Sequence, residues 1–241
     1  MMDPLLKDKK NEDIAKMFDD IAPGYDFLNH FLSFNIDKCW RKKLIKLMKQ
    51  EEPVSMLDVA TGTADLAIMA AGKIPESEIT GVDISEKMLE SGRTKISRIK
   101  PEKNITLLSA AAEKLPFSDN SFDTAMAAFG VRNFQDVNAG LKEMLRVIKP
   151  GKKIFILEFS KPRGFFKLIY SIYFRLYLPV AGRIISGNKS AYQYLHDSVA
   201  GFPEGLAFMD IMQQAGFDNC RQKRLSGGIA TIYVGEKQKK L

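Results

Sequence analysis

Two acidic residues in this sequence are placed to hold opposite ends of one ligand. Asp58 lies near the end of an apolar run at residues 54–59, just before a turn of small residues, and Asp83 follows Gly62 by twenty-one residues. The carboxylate of Asp58 suits a cationic amine, and the two oxygens of Asp83 can accept hydrogen bonds from both hydroxyls of a ribose. An amino acid joined to a nucleoside carries both groups, so the pattern predicts S-adenosylmethionine as the cofactor. The alternative for Asp83 is a charge that complements a helix dipole.

The turn between these acids, residues 60–64, is typical of a ligand-binding connection between a strand and a helix. Gly62 and Thr63 precede a helical pattern at residues 65–73. Small side chains let a ligand approach the free N–H groups at the start of such a helix. The G-x-G-x-x-G pattern of dinucleotide-binding proteins is absent. The alternative is an ordinary connection in which Thr61 or Thr63 caps the helix.

Further candidate residues follow the next predicted strands. After the third strand, small residues that include Ala111 and Ala112 would let a flat ring lie against the backbone. After the fourth, Arg132 and Asn133 stand at the carboxyl end of the sheet, where doubly wound folds bind ligands. Glu158 ends the fifth strand at the same edge, so a surface ion pair with Arg132 is the alternative to a ligand-binding role.

The elements that would position these residues alternate between strand and helix from residue 54 onward. This alternation predicts an α/β fold with a mostly parallel sheet, and Ser85 is a candidate N-cap. The predicted strands are 54–59, 78–82, 105–109, 122–129 and 153–159, followed by a closing hairpin of 217–224 and 229–236. The predicted helices are 65–73, 86–99, 136–148, 190–200 and 203–215, with a turn at 149–151 before the fifth strand.

The segment before the first strand is predicted to be a helical cap. It contains two short helices, 14–18 and 25–34, and a basic helix, 37–50. Apolar side chains of the basic helix lie opposite a group of positive ones, which are Lys38, Arg41, Lys42, Lys43, Lys46 and Lys49. Such a helix can lie on anionic lipid, or it can pack its apolar stripe on the core. The sequence leaves both possibilities open.

A hydrophobic insertion at residues 163–200 interrupts the alternation after the fifth strand. Its segment 165–177 is mostly apolar on a helical wheel. A helix with so much apolar surface packs in the core, binds a partner or encloses an apolar ligand. It is too short and too charged to span a bilayer.

Composition narrows the class of protein. A chain of 241 residues that is 45% hydrophobic fits one α/β domain. Its two cysteines and two histidines lack metal-ligand spacing, so neither a disulfide framework nor a metal site is expected. The charged N-terminus does not resemble a secretory signal, and a cytoplasmic location is expected. The net charge of +7 is compatible with nucleic acid, an anionic membrane or a solvated basic surface.

Longer motifs make the interpretation more specific. Two of them lie at residues 25–40, which begin Tyr-Asp-Phe-Leu-Asn, and at residues 146–162. Others lie at 58–64, 83, 113–117, 119–123, 129–133, 190–195, 202–203 and 215–217. Together they resemble class I S-adenosylmethionine methyltransferases. More narrowly, they resemble the UbiE/MenG family, the C-methyltransferases of menaquinone and ubiquinone biosynthesis, over nearly the whole chain.

The resemblance implies a Rossmann-like, doubly wound sheet of seven strands whose last strand is antiparallel. The cap at 1–53 would form one domain with a methyltransferase unit at 54–241. The implied reaction is S-adenosylmethionine-dependent methylation of a ring carbon of a prenylated quinol, such as 2-demethylmenaquinol to menaquinol, or the equivalent step of ubiquinone biosynthesis. The sequence does not decide between a naphthoquinol and a benzoquinol ring.

The resemblance also implies roles for particular residues. Tyr25, Arg132 and Asn133 are candidates for positioning or polarising the substrate, and Arg132 could stabilise quinolate charge. Asp26 and His196 are candidate bases. The residues expected to bind the cofactor are Asp58, Gly62, Thr63, Asp83, Ala111 and Ala112.

The cap and segment 165–177 would enclose the prenylated quinol. Together with the basic helix, they predict an enzyme that visits the inner face of the cytoplasmic membrane. An exposed apolar helix is compatible with a homodimer or a larger biosynthetic assembly, and the sequence leaves the oligomeric state open. Nucleic acid is not expected as a partner.

Some positions depart from the family pattern, and they are Leu28, Asp37, Lys152, Ala60, Ala64 and Ala111. Asp37 stands where the first signature has histidine, which could weaken a role near the substrate. Ala60 and Ala64 replace glycines, which is sterically possible if their φ angles stay negative. Ala111 replaces an Asp or Asn, so the adenine is expected to be held mainly by the backbone of Ala111 and Ala112.

Two other classes of protein remain as alternatives. A methyltransferase acting on RNA would use the positive surface, although no base-stacking aromatic accompanies an acceptor motif. A non-catalytic lipid or quinone carrier would keep the apolar segment without binding the methyl donor. Cofactor titration separates the carrier from the enzymes, and the salt dependence of nucleic-acid binding tests the RNA alternative.

Overall fold

The computed structural model describes residues 10–26, 30, 33–99, 104–162, 194 and 197–239. The strands are β1 (Ser55–Val59), β2 (Glu78–Asp83), β3 (Ile105–Ser109), β4 (Phe122–Ala128), β5 (Ile148–Phe159), β6 (Phe217–Leu225) and β7 (Ala230–Lys237). The α-helices among the described residues are α1 (Asn11–Ile21), α2 (Ile36–Lys49), α3 (Asp65–Lys73), α4 (Glu86–Ser97), α5 (Val137–Val147) and α6 (Leu206–Gln214).

The seven strands form one sheet in the order β3-β2-β1-β4-β5-β7-β6. Strands β1 to β5 pair in parallel, and β7 pairs antiparallel with both β5 and β6. The predicted α/β fold with an antiparallel last strand is therefore confirmed. Parallel pairing brings the carboxyl ends of β1, β2 and β4 to one edge, and this edge is where the candidate residues meet.

Both faces of the sheet are buried, which explains why its central strands are nearly continuously apolar. Successive side chains point to opposite faces, so Met56 joins one hydrophobic cluster and Leu57 the other. The first cluster includes apolar residues of α2 and α3, and the second includes residues of α5 and α6. A fully buried side chain of the size of Met56 or Leu57 contributes about 1.5–3 kcal/mol to the free energy of unfolding through the hydrophobic effect.

Helix α1 is longer than the predicted helix 14–18. It begins at Asn11 because Glu12 and Asp13 place negative charge at its N-terminal end, where the helix dipole favours it. A short 3₁₀ turn, Ala22–Gly24, follows directly. Half of the predicted second helix, residues 27–29, 31 and 32, lies outside the described residues, and residues 33 and 34 form a turn instead of continuing a helix.

Strand β5 begins five residues earlier than predicted, so the predicted separate turn at 149–151 is wrong. Ile148 already pairs with Phe122, and the next pair joins Lys153 to Thr124, so the intervening residues form a bulge. Gly151 lies inside this bulge with a φ of 74°, a left-handed conformation that glycine adopts without a steric penalty. Strand pairing therefore continues around the residues that the sequence pattern assigns to a turn.

Helix α2 packs its apolar stripe on the core. Trp40, Leu44 and Met48 are at most 3% exposed, whereas the lysines of the helix face solvent. The core-packing alternative for this helix is therefore confirmed. The predicted place of Arg41 on the basic face is wrong, because its side chain is buried.

The hydrophobic insertion lies mostly outside the described residues, including all of segment 165–177 and His196. Among the residues that the structure describes, no helix is both long enough and apolar enough to cross a membrane.

Candidate active site

Three residues of the turn after β1 have a left-handed backbone conformation. Ala60, Gly62 and Ala64 have φ angles of 54°, 58° and 65°. The condition under which alanine would fit without strain, a negative φ, is not met at either position, because the chain must reverse within a few residues between β1 and α3. Each alanine in this region costs about 1–2 kcal/mol relative to the right-handed conformation. The turn also packs closely on the next loop, since a Cβ added to Gly130 would lie 2.6 Å from the Cβ of Ala60.

Asp58 is buried at the base of this turn. Its side chain accepts a hydrogen bond of 2.7 Å from the hydroxyl of Thr61, so that threonine does not cap α3. Burial raises the pKa of Asp58 to about 7, although the Thr61 hydrogen bond opposes the rise. A carboxylate that has lost its water in this way is suited to bind a cation.

In the absence of cofactor, we expect the free energy of unfolding of the Asp58→Asn variant to rise relative to that of the wild-type protein as the pH increases. The folded-state pKa of about 7 exceeds the unfolded value of 3.8. The folded state therefore holds a proton that the unfolded state has released, and the contribution of Asp58 to stability falls between these two values. Urea unfolding at about pH 5 and about pH 8 should show the difference between variant and wild type grow by about 2–3 kcal/mol. An equal difference at both pH values would contradict the shifted pKa.

Asp83 reaches the same turn from the end of β2. Its Oδ2 accepts a hydrogen bond of 2.8 Å from the Gly62 N–H, and its Oδ1 accepts one of 2.9 Å from the Ser85 N–H. Burial raises the pKa of this carboxyl group, and its backbone hydrogen bonds oppose the rise. As predicted, Ser85 caps α4, because its hydroxyl accepts a hydrogen bond from the Met88 N–H.

A cleft of about 810 Å³, including its open mouth, lies above these residues. Of the predicted cofactor-binding residues, Asp58, Gly62, Thr63, Asp83 and Ala112 line it. Ala111 lies beside Ala112 in the same loop but is not among the lining residues. A Cβ added to Gly62 would meet no atom within 4 Å, so the turn leaves open space next to its backbone.

Helix α1 and the residues after it form one wall of the cleft. Ile14, Phe18 and Tyr25 line it, and the rings of Phe18 and Tyr25 meet edge to face at 6.1 Å. Asp19 holds α1 in place by accepting a hydrogen bond of 2.6 Å from the Ser85 hydroxyl. The sequence did not indicate Ile14 or Phe18 as residues of the site. The available signal was that they are apolar and four residues apart, which places them on one face of a helix.

A network of charges joins the cap to the turn. Lys95 donates to Asp26 at 2.8 Å and to Asp65 at 2.5 Å, and the hydroxyl of Thr63 donates to Asp26. Burial alone would raise the pKa of Asp65, but Lys95 and other nearby positive charges hold it below its usual value. The candidate base Asp26 thus serves as an acceptor in this network, and His196 lies outside the described residues.

Arg132 and Glu158 do form the ion pair that is the alternative to a ligand-binding role, but the pair is buried and does not lie at the surface. Their side chains are 6% and 0% exposed, and NH1 of Arg132 lies 3.0 Å from Oε2 of Glu158. The same guanidinium also donates to the carbonyl of Phe129. Arg132 is not among the residues that line the cleft, because its charge is directed at Glu158.

Asn133 does line the cleft and is held by a residue that the sequence did not single out. The hydroxyl of Tyr194 donates to its Oδ1 at 3.0 Å. Burial raises the pKa of Tyr194 to about 12, so this hydroxyl keeps its proton at neutral pH. The available signal was its place in the motif at residues 190–195.

The polar groups that line the cleft fit S-adenosylmethionine. Asp83 and Asp58 provide acceptors for a ribose diol and an ammonium group, and the turn at Gly62 leaves space for a ligand against its backbone. No group of three or more potential metal ligands occurs within the described part of the chain.

The fold and this cleft are those of a class I S-adenosylmethionine-dependent methyltransferase. A solved structure from Thermotoga maritima has the same fold, with a TM-score of 0.64 at 19% identity over 93% of this chain and all of that one. It is described as an SAM-dependent methyltransferase and possible histamine N-methyltransferase. The chain belongs to the ubiE/COQ5 methyltransferase family, whose model matches residues 6–237.

Two curated relatives are similar over most of their lengths. The ubiquinone/menaquinone biosynthesis C-methyltransferase UbiE of Geotalea daltonii is 48% identical, over 95% of this chain and 98% of that protein. The demethylmenaquinone methyltransferase of Bacteroides fragilis is 40% identical, over 95% and 94%. The predicted family, the cofactor S-adenosylmethionine and the enzyme class of C-methyltransferase are confirmed.

Proposed function

We propose that this enzyme methylates a ring carbon of a prenylated quinol, converting 2-demethylmenaquinol to menaquinol. The observation that carries the proposal is the match to relatives named for menaquinone synthesis across 95% of the chain. Menaquinone is common to both names, which favours a naphthoquinol over a benzoquinol ring.

S-adenosylmethionine, when bound, supplies a methyl group attached to a positively charged sulfur. The acceptor carbon becomes nucleophilic when a neighbouring ring hydroxyl loses its proton. Asp58, Gly62, Thr63 and Asp83 would hold the cofactor, with the backbone near Ala112 beside its adenine. Alignment of the reacting atoms supplies much of the rate enhancement in such a transfer.

Tyr25 and Asn133 are the better-placed candidates for contacts with the quinol, because both line the cleft. Arg132 would act indirectly by fixing the loop that carries Asn133, since its guanidinium is paired with Glu158. The pairing of Asp26 with Lys95 argues for a role in holding the cap over the cleft. The contacts of α1 support our proposal that residues 1–53 work as one domain with residues 54–241.

The test is incubation of the purified protein with S-adenosylmethionine carrying a CD₃ group and either a reduced demethylated naphthoquinol or a benzoquinol precursor. We expect mass spectrometry to find one CD₃ group on the naphthoquinol ring and much less on the benzoquinol. Asp83→Ala should abolish transfer, whereas Glu78→Gln, at the exposed start of the same strand, should not. Transfer to neither quinol, in protein that binds the cofactor, would refute the proposal.

We also propose that the enzyme works from the cytoplasm at the inner face of the membrane. Two features of the surface support this proposal. One is the exposed side chains of Phe34 and Ile36 at the start of α2, and the other is the solvent-facing lysines of the helix, which are Lys38, Lys42, Lys43, Lys46 and Lys49.

A flotation assay tests membrane binding, and anionic liposomes should carry the protein upward in the gradient. Replacing Lys38, Lys42 and Lys46 by glutamine should abolish flotation, whereas the same change at three exposed positions elsewhere should not. The control positions are Lys73, Arg221 and Lys223. A homodimer remains a prediction.

A further inference from the structure

A guanidinium group at one wall of the cleft has a buried N–H donor without an acceptor among the described residues. Arg41, on α2, lines the cleft, and its side chain is only 8% exposed. One of its terminal nitrogens, NH1, donates to Asp37. Within the part of the chain that the structure describes, its buried Nε–H has no acceptor. A guanidinium carries five N–H donors, and a buried donor without an acceptor is unfavourable, so this group is suited to receive an anion.

Arg41 is held in place before any ligand arrives. Asp37 accepts from the hydroxyl of Ser33 at 2.6 Å and lies 2.9 Å from Nδ1 of His30, so its carboxylate is fixed from several sides. The guanidinium carbon lies 5.2 Å from the ring centroid of Phe129, which gives a cation–π contact. A side chain restrained in this way loses little conformational freedom when it binds a ligand.

Arg41 shares the cleft with two acidic residues, Asp58 and Asp65, and its positive charge acts on both carboxyl groups. Asp65 is already paired with Lys95, which leaves Asp58 as the acidic group for a ligand. Opposite charges within one cleft are complementary to a zwitterion. They are poorly suited to a quinolate, since the carboxylate of Asp58 would repel its oxygen. Asp83 also lines this cleft, so all three groups border the space that a nucleoside joined to an amino acid would occupy.

We propose that Arg41 binds the α-carboxylate of the cofactor's amino acid, while Asp58 binds its ammonium group. This inference rests on the proposed use of S-adenosylmethionine at this cleft, but not on the identity of the methyl acceptor. It gives Asp37, which departs from the family's histidine, the role of a positioning residue that orients Arg41.

Calorimetric titration with two ligands tests the proposal. S-adenosylhomocysteine has the amino acid, and 5′-methylthioadenosine lacks it. We expect Arg41→Gln to weaken S-adenosylhomocysteine binding by about 10- to 100-fold, the range for one charged hydrogen bond. Binding of 5′-methylthioadenosine should stay within about twofold, because that ligand has no carboxylate for Arg41 to hold. Lys73→Gln, which removes an exposed charge at the end of α3, should change neither.

Arg41→Gln alone leaves the Asp37 carboxylate buried without its guanidinium partner, which could destabilise the fold. The double variant Arg41→Gln/Asp37→Asn removes that unpaired charge and therefore serves as a control for misfolding. The same selective loss is expected in both variants. Equal weakening of both ligands in a cooperatively folded variant, or undiminished binding of S-adenosylhomocysteine, would overturn the assignment. Selective loss in a protein that methylates no quinol would support the role of Arg41 while refuting the proposed acceptor. A wild-type protein that binds neither ligand would overturn both.

Discussion

Replacing Asp83 by alanine is expected to weaken the binding of S-adenosylhomocysteine by about 100-fold or more. A carboxylate that accepts from both ribose hydroxyls makes two charged hydrogen bonds, each worth about 1.5–3 kcal/mol. The same change releases the N–H groups of Gly62 and Ser85, which the carboxylate now holds at 2.8 and 2.9 Å. The turn against which the cofactor would lie then loses one of its anchors, which adds to the loss of affinity.

Calorimetry on Asp83→Ala, Asp83→Asn and Glu78→Gln measures this effect. Asp83→Asn keeps one acceptor and should give an intermediate affinity. Glu78→Gln removes a charge at the exposed start of the same strand and should leave affinity unchanged. Binding to Asp83→Ala within about threefold of the wild type would show that the ribose is held elsewhere, since even one charged hydrogen bond is worth more than that.

Replacing Arg132 by methionine is expected to lower the free energy of unfolding by about 3–5 kcal/mol, because it leaves a buried carboxylate without its partner. Glu158 is fully buried, and among the described residues its remaining donors are the backbone N–H groups of Arg132 and Phe159, at 3.2 and 3.1 Å. For a chain of this size, such a loss lowers the melting temperature by roughly 10 °C.

The double variant Arg132→Met/Glu158→Gln should recover most of that stability in urea unfolding, since it removes the unpaired charge. The exposed pair of Arg93 and Glu86 provides the control, with side chains 45% and 52% exposed. Arg93→Met should therefore change stability by no more than about 1 kcal/mol. A similar small loss for Arg132→Met would mean that the buried pair does not stabilise this edge of the sheet.

Some of the site could be predicted because it depends on local sequence. The end of a strand is a local feature, and parallel pairing brings the ends of successive strands to one edge. The positions of Asp58, Asp83 and Asn133 at this edge follow from that rule and the sequence alone. The capping of α4 by Ser85 was predictable for the same reason, since donor and acceptor lie three residues apart. The roles of these residues toward ligand stay predictions.

Other features depend on partners far apart in the chain. Arg132 and Glu158 are separated by 26 residues and Lys95 and Asp26 by 69, so the sequence did not identify them as buried or bridging pairs. The basic pattern of α2 placed Arg41 with the solvent-facing lysines, although the helix turns that side chain into the cleft beside Asp37.

The sequence by itself determined the alternation of strand and helix, the edge at which the acidic residues meet and the family of the enzyme. These follow from residue periodicity and from motifs that can be read over short stretches. Only the tertiary structure decided the left-handed turn at Ala60 and Ala64, the burial of the Arg132–Glu158 pair and the position of Arg41 on the cleft wall. Each of these depends on packing between separate elements, which sets how closely their backbones approach and which charges lose contact with water.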